Sequence, residues 1–96
     1  MQLSREDIIA AAENIDLYED DYTIREAYSG RGMYGGTCFA IDLPDTGKLT
    51  EFLVSLALGL SEDGRGEDAL DLARKTHTDS MGFGVVAYWP GVELDG

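Results

Sequence analysis

The chain has 96 residues, 19 of them Asp or Glu against 7 Lys or Arg, giving a formal net charge of -12. So acidic a balance excludes nucleic acid and anionic membrane surfaces as natural partners and favours basic ones. It also exceeds the roughly 2 to 8 charges that serve the solubility of a small domain. The 44% hydrophobic share is that of a folded protein, and the length suits a single domain, 1–96, around one modest core.

Residues 4–15 read as an amphipathic helix. Ser4 is a good N-cap, Asp7 takes the capping-box position, and Glu6 and Asp7 place negative charge where the helix dipole favours it. Ile8, Ala11, Ala12 and Ile15 recur at helical spacing and are expected to face the core. Asp16, Glu19, Asp20 and Asp21 then crowd around Leu17 and Tyr18. No Lys or Arg occurs between Glu6 and Ile24, so with Glu13 these acids form a first acidic patch that lacks local neutralisation.

Residues 22–29 read as a strand with Tyr22, Ile24 and Tyr28 on one face and Thr23, Arg25 and Ala27 on the other. Glu26 interrupts the apolar face, which either weakens the strand pattern or marks an edge. Residues 29–37 hold four of the chain's twelve glycines, which permit backbone shapes that other residues resist. Residues 38–43 alternate as a second strand, with Phe39, Ile41 and Leu43 opposite Cys38, Ala40 and Asp42. The two runs are expected to pair antiparallel across the glycine-rich connection, and Pro44 ends the pairing. Cys38, the lone cysteine, has no internal disulfide partner and reads as a small buried hydrophobe.

Asp45 or Thr46 can cap the next helix, in which Leu49, Phe52, Leu53, Leu56, Ala57 and Leu60 repeat at helical spacing. Val54 and Leu58 widen its apolar stripe, so burial on more than one side is expected. Gly64 and Gly66 break the chain. Residues 67–75 make a third helix, with Ala69, Leu70, Leu72 and Ala73 apolar and Arg74 and Lys75 in the last turn. Glu62, Asp63, Glu67, Asp68 and Asp71 form a second acidic patch diluted by Arg65. Asp79 or Ser80 reads as a turn residue before the last strand, with His77 at the C-terminus of the third helix. Residues 81–89 read as one strand with Met81, Phe83, Val85, Ala87 and Trp89 on one face, followed by a short acidic tail. The expected fold is α+β, a three-stranded antiparallel sheet with helices packed on one face, in the order α-β-β-α-α-β.

Few patterns suggest chemistry. The sequence Gly30-Arg31-Gly32-Met33-Tyr34-Gly35 matches a dinucleotide spacing by letters alone, but it lies between two strands rather than before a helix. It leaves open an anion- or nucleotide-binding module with Arg31 and Tyr34 as ligands; the plainer reading is a turn in which Arg31 pairs with an acid. His77, Asp79 and Ser80 lie too close together in sequence for the usual assembled triad, and no EF-hand pattern occurs. The reading is of a binding protein, not an enzyme, with no cofactor. Tyr18, Tyr22, Tyr28 and Tyr34, near the acids, suit a surface that grips Lys- and Arg-rich partners.

The phrases Tyr28-Ser29-Gly30-Arg31-Gly32-Met33-Tyr34-Gly35, Cys38-Phe39-Ala40-Ile41, Thr78-Asp79-Ser80-Met81-Gly82-Phe83-Gly84 and Tyr88-Trp89-Pro90 resemble a family of small acidic proteins of bacteriophages and mobile elements, over most of 28–90. The resemblance implies a phage accessory protein. By analogy of size and charge it implies an inhibitor of a host defence complex, anti-CRISPR-like, whose acidic surface imitates DNA and blocks a basic nucleic-acid channel. Both acidic patches would then stand in for phosphates. The N-terminus is polar, and no apolar run reaches the roughly 18 to 20 residues of a membrane span, so a cytoplasmic location in the host cell is expected. A third possibility is an adaptor that pairs through a sheet edge.

Overall fold

A computed structural model describes residues 2–31, 33–82 and 84–95. The elements run β1 (Gln2–Ser4), α1 (Arg5–Glu13), β2 (Thr23–Tyr28), β3 (Cys38–Leu43), α2 (Thr46–Glu62), α3 (Gly66–Lys75), β4 (His77–Met81), β5 (Gly84–Tyr88) and β6 (Glu93–Asp95). The α+β class is as expected; the sheet is not. Strands β2-β3-β5-β4 form a four-stranded sheet, and β1 and β6 form a separate two-stranded one.

Local signals place most elements. Ser4 caps α1 through a reciprocal box with Asp7, and Asp45 caps α2 by accepting from the Lys48 amide, bonds of about 1 kcal/mol each. On β3, Phe39, Ile41 and Leu43 enter the main core while Cys38 and Ala40 join a second cluster, as strict alternation requires. The main core is the helix side: Ile8, Ala11 and Ala12 of α1, Leu49, Phe52, Leu56 and Leu60 of α2 and Leu72 of α3 meet Phe39, Ile41, Val85, Ala87 and Trp89. Burying a side chain the size of Phe52 or Trp89 contributes about 1.5–3 kcal/mol or more. Trp89 stacks on Phe39 at 5.0 Å between centroids and donates its indole N–H to Thr76 at 2.8 Å, which fixes the end of α3 against the sheet.

Four expectations are corrected. The single last strand is a hairpin: β4 and β5 pair antiparallel from His77↔Tyr88 to Met81↔Gly84. Gly82 is at φ 66, a conformation that glycine adopts without strain and that the alternating pattern does not reveal. Val85, Ala87 and Trp89 do face the main core; Phe83 lies outside the described residues. Second, β2 and β3 shift register between Arg25 and Tyr28. The irregularity re-aims the strand, so Tyr22 and Ile24 pack on the main core whereas Tyr28 packs on the second cluster. Third, β1 and β6, which the expected element order lacks, pair parallel from Gln2↔Glu93 to Ser4↔Asp95; three-residue strands carry too little alternation to be read. Fourth, α2 is not buried all round. Val54 is 55% and Leu58 59% exposed, because no other element among the described residues covers that side. Among the described residues, no helix is long and apolar enough to cross a membrane.

Candidate functional site

The first acidic patch is shaped by a tight exit from α1. The amides of Ile15 and Leu17 both bond the Ala12 carbonyl, at 3.1 and 2.9 Å, and Asp16 turns the chain at φ 60. Leu17 is buried and Ile15 half-buried, so the apolar pair pins the loop while its acids point outward. A second turn follows, in which the Tyr18 amide donates to the Asp21 carboxylate at 2.9 Å and the Asp21 amide to the Tyr18 carbonyl at 2.8 Å. Glu13, Asp16, Glu19, Asp20 and Asp21 are all exposed, with Tyr18 at 52% among them. None of the five makes an ion pair among the described residues. Burial, then the charges of Glu13 and Glu19, raise the pKa of the Tyr22 hydroxyl; carboxylates from the helix end and from the loop therefore converge on one place.

The second patch is different. Arg65 sits at its centre and reaches Asp7 at 2.9 Å, Asp68 at 3.2 Å and the Gln2 carbonyl at 2.8 Å. Lys75 pairs with Asp71 at 3.1 Å. Asp68 and Asp71 are thus neutralised, while Glu62, Asp63 and Glu67 stay exposed without an ion pair among the described residues. Burial works to raise the pKa of Asp7, but bonds from the Ser4 amide, the Arg65 guanidinium and the Ser4 hydroxyl outweigh it and hold the carboxyl below its usual 3.8.

The two patches do not adjoin. Ser55 of α2 donates to the Ala11 carbonyl at 2.8 Å. Glu6 and Asp7 of α1 lie with Leu60 of α2 and its C-cap Asp63, and Asn14 and Ile15 with Thr50 and Glu51. The helices are therefore antiparallel, with the first patch toward the start of α2 and the second at its end. The stretch of α2 from Glu51, beside the first patch, to Glu62, in the second, spans about 16 Å at 1.5 Å per residue.

The glycine-rich loop closes over the second sheet face. A Cβ on Gly30 would meet the Tyr88 ring at 2.2 Å, so glycine is needed there for close approach. The Tyr88 hydroxyl donates to the Arg31 carbonyl at 3.3 Å. The amides of Met33 and Gly36 bond the Gly30 and Met33 carbonyls, and the Gly30 amide meets the Met33 sulfur. These amides are turned inward and are not presented to an anion. Arg31 is exposed and makes no ion pair among the described residues, contrary to the plainer expectation; Tyr34 is 98% exposed at φ 51.

Sequence reasoning missed the polar network under this loop. Tyr28 donates to Asp79 at 2.5 Å, which with burial raises its pKa to about 12. Tyr88 lies 3.4 Å from the other Asp79 oxygen and stacks on His77. Arg25 pairs with Asp42 at 2.9 Å beside the Tyr28 ring, and the second Asp42 oxygen is buried without a hydrogen-bond partner among the described residues. His77 and Asp79 had been assigned to a helix end and a turn; both are strand residues of β4. Ser80 opposes Val85, on the other face from Asp79, so the three do not converge as a triad. The alternation of His77 and Asp79 with Thr78 and Ser80 was the signal available.

Among the described residues no group of three or more His, Cys, Asp and Glu is placed to hold a metal ion. Comparison with known families, curated proteins and solved structures finds no match to this chain.

Proposed function

We propose that the chain is a protein-binding module that presents its acidic surface to a basic, nucleic-acid-binding protein and occupies the path of the nucleic acid. In its fullest form the reading is a phage-type, anti-CRISPR-like inhibitor working in the host cytoplasm by DNA mimicry, without catalysis. One observation carries it: Glu13, Asp16, Glu19, Asp20 and Asp21 are exposed, converge around one loop and have no ion pair among the described residues. Like charges held together raise the local field and repel one another, a cost that a basic partner relieves. The corrected site is led by these five, with Glu62, Asp63 and Glu67 as a secondary contact; Asp68 and Asp71 already hold cations.

The test is a tagged bait in lysate from a CRISPR-bearing host, eluted along a salt gradient. A basic nucleic-acid-binding complex released as salt rises, and displaced by competing DNA, supports the mimic. Retention unchanged after the five acids are neutralised sinks it.

A second reading is an anion- or nucleotide-binding module with Arg31 and Tyr34 as ligands. What favours it is the left-handed backbone of Tyr34, a fully presented aromatic at φ 51, since backbone strain gathers at functional sites. It requires that Arg31→Ala abolish nucleotide-induced thermal stabilisation while the acid-to-amide variants retain it.

A further inference from the structure

The exposed side of α2 is shaped as well as apolar. A groove of about 510 Å³ runs between the end of α1 and α2, with Ile15, Val54 and Leu58 as its apolar wall. Val54 and Leu58 are one turn apart on α2, so they make neighbouring contacts on one ridge. Glu51 and Glu62 line the same groove, one turn beyond either end of that apolar pair. The row from Glu51 to Glu62 is about 16 Å long at 1.5 Å per residue, the length of roughly three helical turns. Gly59 also lines the groove, and a Cβ there would meet nothing within 4 Å, so the floor is open beside Leu58.

We infer that this groove docks an amphipathic helix of the partner, one with two apolar residues a turn apart and Lys or Arg one turn beyond each. The occupant is chosen by charge complementarity. The rim is acidic at both ends, the groove lies between two acidic regions, and the chain carries -12 overall. The cation beside the rim, Lys48, pairs with Glu51 at 3.1 Å in an exposed i,i+3 contact, which a partner's cation can replace at little cost. A second copy of the chain would bring a like-charged rim against this one. Helix-in-groove binding uses anchors at this spacing. The inference rests on the reading that the partner is basic, and it adds the apolar contact that charge alone does not supply.

The test titrates the full 15N-labelled chain with a synthetic helical peptide, leucines four apart and lysines one turn outside each, and with its lysine-to-glutamate counterpart. The expected result is amide shifts confined to 14–15 and 50–62, with the lysine peptide bound at least tenfold more tightly. Leu58→Ser and Gly59→Gln should each weaken it tenfold or more, and thermal melts of both variants verify that they fold. Shifts centred on 16–21 and indifferent to Gly59→Gln would overturn the groove and leave the acidic-surface reading standing. Equal affinity for both peptides would overturn the basic occupant. A dimer in sedimentation that Leu58→Ser dissociates would assign the groove to a second copy, also overturning it. Groove binding by a chain that fails to displace DNA from basic proteins would uphold the docking site and remove the mimic.

Discussion

The two acidic patches have similar composition and different physics. Around Glu13 to Asp21, buried Leu17 and half-buried Ile15 fix a loop whose exposed carboxylates make no ion pair among the described residues. Around Glu62 to Asp71, Arg65 ties α3 to β1 and the start of α1, and Lys75 holds Asp71. The first patch stores repulsion; the second converts part of its charge into tertiary contacts. The difference separates carboxylates that are free for a partner from those that hold the fold together.

Neutralising the first patch should separate the two most sharply. Five exposed charge contacts at about 0.5 kcal/mol each would amount to about 2.5 kcal/mol, or roughly seventyfold in affinity for a basic partner. The corresponding amides at Glu62, Asp63 and Glu67 should cost about tenfold by the same scale. A competition titration of both variants checks this, and equal losses would erase the distinction. Stability should behave in the opposite way. Arg65→Ala leaves Asp7 and Asp68 unpaired and is expected to cost about 1–2 kcal/mol, since the pairs are part-exposed; this lowers Tm by several degrees. Any one amide in the first patch should change stability by less than about 0.5 kcal/mol. Thermal melts that show a first-patch variant as damaged as Arg65→Ala would contradict this assignment.

Acid sharpens the contrast. The pKa of Asp7 is lowered in the fold from 3.8, so its contribution is fully present above that value and lost as pH falls through the lower, folded value. Melts between about pH 2 and 5 should show a steeper acid loss for the native chain than for Asp7→Asn; parallel curves would remove Asp7 from the account. The smallest expected effect lies outside both patches. Tyr28, raised from 10.0 to about 12, contributes stability that is complete below 10.0 and lost as pH rises toward 12. Ultraviolet titration should find Tyr28 among the late-ionising tyrosines, and Asp79→Asn should bring it back toward the ordinary range.

The sequence by itself determined what depends on near neighbours. The Ser4–Asp7 box, a cap at Asp45 or Thr46, the face alternation of Phe39, Ile41 and Leu43 and the core stripe of α2 each follow from residues within a few positions. Glu26 left open a weakened pattern or an edge, and β2 is an edge strand of the four-stranded sheet. Only the tertiary structure decided how distant charges and faces combine. Arg65 and Asp7 are 58 positions apart, and Tyr28 and Asp79 are 51 apart; no periodicity connects them. The register shift in β2 sent Tyr28 to the face opposite Ile24, and Gly82 turned one expected strand into two. The exposure of Val54 and Leu58 was hidden for the same reason: a helical stripe records which residues are apolar, while whether anything covers them depends on where the rest of the chain packs.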